Sequence, residues 1–484
     1  MPQRTITTDV AVFGSGPAGI GAALAAARNG AKTLLVEKMG FLGGQMTAGL
    51  VTGLHGYRIH KGSTGKGSGA YLAVNYDTEQ VLGGIPKEIV DRLVERGGAY
   101  CEKKEPSMRV EFDPEVMTSL LFDLMEEAGV TLLLNAFAFG CTVDQGYVKA
   151  VRVASKSGEE LIEAKQYVDA TADGDIAAWS GAPFEMGRSE DGRTMPISLY
   201  MLLAHVDLKK TIDYLKEHPS ELHTGTPEGW ESLYLKGAPI DLGGFRELIF
   251  KAYQNGDYPL PLGATRGYPN PIFFITTSTL PRGYTKLLID MAYGVDITDS
   301  LELSKAEAYV RRVQIPGIMN FVRKYMPGFE NSLLLQTAPL IGTRESRRIK
   351  GDYMLTEEDV LNNRRFPTVV ARCGRAMNVH SPVGGGKEEE RGGQKWIEPK
   401  DPKGFDIPFE CLVPQKVNNL LVSGRCISVT HMALGSVRGE PVCMATGEAA
   451  GTAAALCATK GINSRELPID TLQSVLRRNG VKLD

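Results

Sequence analysis

Three groups of residues have the types and spacing that chemistry requires. The first is Gly14-x-Gly16-x-x-Gly19, placed between a short apolar run and an Ala-rich stretch. The first glycine allows a tight turn, the second lets backbone approach a pyrophosphate, and the third lets helix and strand pack closely. Glu37 lies 21 residues past Gly16, where a carboxylate can accept hydrogen bonds from ribose hydroxyls. This pattern reads as dinucleotide binding. The second group is Gly342-Thr-Arg344-Glu-Ser-Arg347-Arg348. Its arginines could clamp a substrate carboxylate bidentately or fix a phosphate, with Arg344 the leading catalytic candidate. The plainer alternative is ion pairing with Glu345, Asp352 or Glu357. The third group is the histidines. His380 and His431 are candidates for exchanging a proton with substrate, and His55 and His60 are further alternatives.

None of the seven histidines has metal-ligand spacing with another His or Cys, so no metal site is expected. The seven cysteines are scattered, with no C-x-x-C pair. That argues against a disulfide framework, a zinc ribbon or an iron–sulfur cluster. Cys443 has no resolving partner, so packing is expected of it rather than redox chemistry. Gly65-Lys-Gly-Ser-Gly69 does not follow a strand and reads as a loop. The net charge is −3, which gives no electrostatic case for nucleic-acid binding. No basic-then-apolar leader opens the chain, and no apolar run reaches the roughly 20 residues of a membrane span. The expectation is a soluble cytoplasmic protein. Gly, at 55 of 484 residues, exceeds the usual share of roughly 7%.

The elements that must position these groups follow from pattern. Asp9–Phe13 reads as a buried parallel strand, followed by the glycine turn and a helix ending at Asn29-Gly30. Lys32–Glu37 is a second strand, completing a βαβ unit. Residues 113–129 read as a helix with Pro114 at its start, and 131–170 as three or four strands. From about 185 to 339 aromatics and prolines increase. There Ser304-x-x-Glu307 looks like a capping box opening a helix to about Tyr325. Arg372 to Phe409 reads as mostly loop, Asn419–Gly424 as a strand, and Pro441–Lys460 as a helix. Similar patterns at both ends suggest a nucleotide-binding domain, 1–185 and 340–484, interrupted by a substrate domain at 186–339. The expected class is α/β, a discontinuous Rossmann-like domain with an inserted α+β domain.

Lys38-Met-Gly-Phe-Leu-Gly-Gly-Gln-Met46 resembles the glutathione-reductase-type FAD-binding domain, in which a Gly-Gly pair passes close to the cofactor. Leu420–Ile427 and Gly439–Gly447 resemble that fold's last strand and the helix facing the flavin. More specifically, the chain resembles FAD-dependent oxidoreductases distantly related to fumarate reductase and succinate dehydrogenase flavoproteins. The matching stretches are 167–175, 342–353 and 426–436. One departure is Ala172, where such flavoproteins usually carry glycine. The resemblance implies FAD contacts at Gly14, Gly16, Pro17, Ala18, Gly19, Glu37, Lys38, Gly43, Gly44, Gln45 and Met46. It also implies contacts at Ala170, Thr171, Ala172, Asp173, Gly424 and Arg425. The N–H groups of Val442, Cys443, Met444 and Ala445 would face the ring. The activity implied is hydride transfer between a small organic substrate and flavin N5, by CH–CH, CH–OH or CH–NH oxidation or by C=C reduction. Alternatives are an oxygen-using oxidase or monooxygenase, and a non-catalytic dinucleotide-binding protein. No second strand–glycine–helix unit appears between about 185 and 340. Electrons would therefore pass to or from a second substrate, oxygen, a quinone or a carrier protein. The sequence leaves open whether the protein is a homo-oligomer.

Overall fold

A computed structural model describes residues 4–55, 58–60, 78–100, 109–222, 227–235, 237–263, 273–277, 284–384, 394–397, 399–400 and 404–484. The Gly65–Gly69 loop, Cys101, His223 and the side chains of His55 and His60 lie outside the described residues. Among the described residues no helix is long and apolar enough to cross a membrane, and no cluster of His, Cys, Asp and Glu could hold a metal ion.

The first sheet is built around Arg4–Phe13, which pairs in parallel with Thr33–Glu37 on one side and Gly158–Asp169 on the other. Thr131–Leu134 extends the sheet beyond Thr33–Glu37, and Leu420–Val422 joins the far half of Gly158–Asp169, both in parallel. Tyr147–Ser155 and Phe137–Asp144 complete the seven strands as an antiparallel flap. Thr33–Glu37 is buried along its whole length, as a parallel strand covered on both faces should be. The helices Pro17–Arg28 and Glu440–Lys460 pack on this sheet and on each other. Their approach depends on small residues. A Cβ on Gly447 would lie 2.0 Å from Ala18 O, and one on Gly451 would lie 2.1 Å from Ala22 O.

The second sheet is antiparallel, in the order Ile240–Gly244, Phe273–Thr277, Thr285–Leu288, Met201–Ala204, Leu333–Thr337. Helices between 208 and 325 cover it and enclose a separate apolar core that includes Leu203, Ile249, Leu287 and Phe321. A fully buried cation ties this layer to the small antiparallel pair of Gly53–His55 with Arg109–Glu111. Lys286 bonds Glu111 and Thr52, with its ammonium over the Tyr200 ring.

Several local expectations are corrected. The helix expected to open at Ser304 begins at Ser300, capped by Asp299, which accepts from Leu301 N at 2.8 Å and Glu302 N at 3.1 Å. Ser304 bonds back to Ser300 O inside that helix. Within 372–409 the described residues include strands where only loop was expected. Val369–Cys373 pairs with Phe405–Pro408, and Met377–His380 pairs with Gln394–Ile397. The strand expected at Asp9 starts at Arg4, and the helix expected from Pro441 starts at Glu440 and is followed by a further helix, Ile469–Arg478.

Candidate functional site

The glycine turn makes an anion cradle. Gly14 has φ +92°, and a Cβ there would sit 2.5 Å from Ala170 O. Gly16 caps the helix without a side-chain bond, Pro17 opens it, and the first helical bond is Ile20 N to Gly16 O at 3.0 Å. The N–H groups of Ala18 and Gly19 come ahead of that bond and point from the positive end of the helix. A Cβ on Gly16 would meet no protein atom within 4 Å, so the space over this turn is open to a ligand. Gly19 closes the turn from below; a Cβ there would lie 1.7 Å from Gly14 O.

The Gly43-Gly44 segment lies against the same turn. Gly43 N donates to Ser15 O at 2.9 Å, and a Cβ on Gly44 would come within 2.9 Å of Gly16 Cα. Gln45 donates through Nε2 to Ile341 O at 3.0 Å, while its buried Oε1 has no partner among the described residues. Met46 is buried and Lys38 is exposed. Glu37 is engaged with the turn itself. Its Oε2 accepts from Ser15 N and Ser15 Oγ, both at 2.7 Å, and its Oε1 accepts from Met39 N at 2.8 Å. A carboxylate offers about four acceptor sites, so one remains for a ribose hydroxyl.

The 169–175 loop is held by Asp169, which accepts from Thr171 N at 3.1 Å, Thr171 Oγ1 at 2.7 Å and Ala177 N at 2.9 Å. Burial pushes the Asp169 carboxyl up to about 6. Ala170 is buried against Gly14. Ala172, the departure noted above, has φ +69°, a left-handed conformation that its methyl group disfavours by about 1–2 kcal/mol. Asp173 bonds Arg425 and accepts from Ser346 Oγ at 2.8 Å. Gly424 N donates to Thr446 Oγ1 at 3.1 Å, fixing the last strand to the long helix.

That helix corrects one expectation. Cys443 N donates to Gly439 O at 2.9 Å, and the amides of Met444 and Ala445 follow within the helix. Helical N–H groups from this position onward are taken by carbonyls four residues back. Ahead of Cys443, Val442 keeps its N–H outside the helical ladder and Pro441 has none. Cys443 is buried, and burial pushes its thiol up to about 12, as suits packing.

The arginine run sorts its residues onto two histidine–carboxylate pairs. Ile197–Ser198 pairs with Asp290–Ala292 and is bridged by Gly342, which brings residues 198, 290 and 344 together. Arg344 Nη1 bonds Pro196 O at 2.6 Å and lies 3.0 Å from Asp290 Oδ1. Ser198 Oγ donates to the same oxygen at 3.2 Å. Asp290 Oδ2 is 2.9 Å from Nδ1 of buried His380. Burial opposes the Asp290 charge, but His380 and Arg344 outweigh it and hold the carboxyl at about 2. Burial, joined by repulsion from Arg344, pulls His380 down to about 4 despite Asp290. A neutral ring donating Nδ1–H to an ionised Asp290 leaves Nε2 as a lone-pair acceptor. No protein group bonds Nε2 among the described residues.

In the second pair, Glu345 accepts from Met195 N at 3.0 Å, bonds Arg348, and lies 2.8 Å from His431 Nδ1. Arg348 also donates to Val429 O at 3.0 Å and Gly187 O at 2.8 Å. His431, at the start of the helix His431–Val437, faces a cleft of about 600 Å³ lined by Met186, Glu357, Thr430 and Met432. Arg347 pairs with Asp175 at 2.7 Å. Asp290 and Ser198 were not expected from sequence. They lie 90 and 182 residues before His380, and nothing in their local pattern signals the pairing.

Among solved structures, the chain is similar to a geranylgeranyl bacteriochlorophyll reductase-like protein from Thermoplasma acidophilum at 13% identity, covering 98% of this chain and 84% of that one with a TM-score of 0.42. It is also similar to an anhydrotetracycline hydroxylase from Streptomyces rimosus, at 12% identity, 98% and 66% coverage and a TM-score of 0.43. The flavin-dependent brominase Bmp2 is similar at 12% identity, 97% and 83% coverage and a TM-score of 0.44. No curated protein sequence matches the chain significantly. The family model of the FAD dependent oxidoreductases matches residues 9–476. The cradle of Gly16, the partnerless Gln45 Oε1 and the adjoining Gly44 fit the cofactor that this match implies. The chain belongs to the FAD dependent oxidoreductase family, and its cofactor is FAD.

Proposed function

We propose that the protein oxidises a small organic substrate by hydride transfer to flavin N5, with His380 taking the accompanying proton. The observation that carries this reading is the buried His380–Asp290 pair, neutral on the imidazole and charged on the carboxylate, with Nε2 left without a protein partner. FAD, when bound, supplies a two-electron acceptor. Residues of 1–185 and 340–484 would hold it, with Gly16, Ala18 and Gly19 serving the pyrophosphate, Glu37 the ribose, and Gly44 and Gln45 the adjoining part. The inserted region 186–339 contributes Asp290 and Ser198 to the reacting end. Asp290 fixes the ring's tautomer and stabilises the imidazolium formed when Nε2 accepts the proton of a substrate hydroxyl, amine or activated carbon. Arg344 keeps Asp290 ionised. His431 positions the loop before the long helix. The electrons then leave to an external acceptor in a second half-reaction.

Anaerobic mixing with small hydroxy, amino and saturated carboxylic acids tests this. At least one should bleach the visible flavin band. The bleaching rate should be flat down to about pH 6 and fall below about pH 5, as a base titrating near 4 requires. A reduced flavin that forms only with an external nicotinamide and is discharged rapidly by oxygen would replace this reading with an oxygen-using one.

A further inference from the structure

The strand Met377–His380 sorts its side chains onto two faces. Val379 packs on the helix His431–Val437, where a Cβ on Gly435 would lie 2.8 Å from Val379 Cγ2, and it lines the cleft beside His431. Asn378 and His380 alternate with Val379 and share the opposite face, on which His380 meets Asp290. That face adjoins the cofactor segment. Asp290 accepts from Ser198 Oγ, Ser198 and Gly342 exchange backbone bonds at 3.0 and 2.8 Å, and a Cβ on Gly342 would lie 4.0 Å from Gln45 Oε1. The backbone of Asn378 is clamped: its carbonyl accepts from Arg438 Nη2 at 3.0 Å, and a Cβ on Gly435 would come within 3.0 Å of its N and its O. Its side-chain amide, by contrast, makes no hydrogen bond among the described residues. Only 8% of Asn378 is exposed; Oδ1 is sealed without a partner, and Nδ2 has none but is not sealed. The reverse amide rotamer would seal two N–H donors in place of one acceptor, which is the costlier burial, so Nδ2 is the open end. A fixed, buried amide with an open donor is unfavourable until a ligand meets it.

Residues two apart on a strand stand about 6.5 Å from each other, a separation that one oxygen hydrogen-bonded to both side chains can span. We propose that Asn378 donates through Nδ2 to the substrate oxygen whose proton His380 takes, so that the substrate is an alcohol and the reaction a CH–OH oxidation. This rests on the reading of His380 as the base at the reacting end. The carbinol C–H bond breaks, and its electron pair leaves with the hydrogen as hydride to FAD. The O–H proton goes to His380 Nε2, and the carbon–oxygen bond becomes a carbonyl. The oxygen keeps a lone pair throughout and gains negative charge as its proton leaves, so a fixed donor stabilises it. An amine nitrogen has one lone pair, which feeds the new C=N bond as hydride departs. A saturated carbon offers no acceptor at all. Neither would use the amide.

The test mixes the FAD-loaded full chain anaerobically with matched probes: lactate, alanine and propionate; malate, aspartate and succinate; cyclohexanol and cyclohexylamine. At least one alcohol should bleach the flavin while its amine and unsubstituted counterparts stay inert. Asn378→Leu, which nearly keeps the volume and removes the donor, should slow that bleaching about 10²-fold or more with FAD content unchanged. Calorimetry on the oxidised protein gives a readout apart from activity. The corresponding ketone (pyruvate, oxaloacetate or cyclohexanone) should bind about 10-fold more weakly in Asn378→Leu, whereas propionate and succinate, which lack that oxygen, should show no change. Should Asn378→Leu fail to fold, Asn378→Ala and Asn378→Ser carry the comparison, the serine keeping a donor and part of the rate. Unchanged rate and ketone affinity in the variants without a donor overturn the proposal. So does an equal weakening of propionate and succinate, which marks a structural role, or loss of FAD from Asn378→Leu, which assigns the amide to the flavin. Bleaching by an amine or an unsubstituted acid, with the alcohols inert, overturns it while leaving His380 as the base. No bleaching by any probe overturns both.

Discussion

The molecule contains two versions of one triad, an arginine, a carboxylate and a histidine, seeded by adjacent residues Arg344 and Glu345. The contrast between them separates chemistry from scaffolding. Around Glu345 the contacts fasten backbone at Met195 N and, through Arg348, at the carbonyls of Val429 and Gly187, and hold His431 at the edge of the cleft. Around Asp290 the contacts converge on one imidazole, buried and pulled down to about 4, whose far nitrogen has no protein partner. The same residue types serve different ends because one charge network is tied mainly to backbone and leaves its imidazole at a cleft, whereas the other buries its imidazole.

The largest expected effect lies outside both triads and shows whether either depends on the cofactor. Gly16→Val places a side chain where no protein atom stands within 4 Å, so the fold should persist while FAD is lost. Absorbance of the purified variant should show near-complete loss of flavin with unchanged circular dichroism; full retention would remove the cradle from the account. Next is Glu345→Gln, which leaves buried Arg348 with only the more exposed Glu185 at 3.8 Å as counter-charge. Denaturant unfolding should show a loss of about 3–5 kcal/mol, and a loss under about 1 would deny the scaffolding role.

The third test uses pH. His380 titrates near 4 when folded, against ~6.5 unfolded. Below that higher value the unfolded chain takes up a proton that the folded chain refuses. Stability should therefore fall as pH drops from about 6.5 to 4, by up to about 3 kcal/mol. The fall should shrink in His380→Asn and persist in His431→Asn, measured as thermal midpoints across that window. The smallest effect is Ala172→Gly. Relief of the left-handed strain, less the greater freedom of unfolded glycine, should stabilise the protein by about 0.5–1 kcal/mol. A lower midpoint would mean that the methyl group contributes packing that outweighs the strain.

What was legible in the sequence was local. The turn Gly14–Gly19, the helix capped by Asp113 and the four strands of 131–169 each depend on residues a few positions apart, and they form as the pattern suggests. The helix start at Ser300 was missed because Ser304 and Glu307 imitate a capping box, whereas the side chain that takes the free amides is Asp299. The amide of Cys443 enters the ladder because the helix starts one residue earlier than expected, and those of Met444 and Ala445 lie in the ladder from either start. Asp290 was invisible for a different reason. Its partners Ser198, Arg344 and His380 come from three separate stretches, and only the short pairing of 197–198 with 290–292 gathers them.

The most direct test of the contrast is the anaerobic flavin-reduction rate in wild type, His380→Asn and His431→Asn, using an acid found to bleach the wild-type enzyme. His380→Asn should keep its FAD and lose roughly 10²–10⁴-fold in rate, while His431→Asn stays within a few-fold. Loss of rate in His431→Asn with His380→Asn unimpaired would contradict the account and move the chemistry to the cleft beside Glu345.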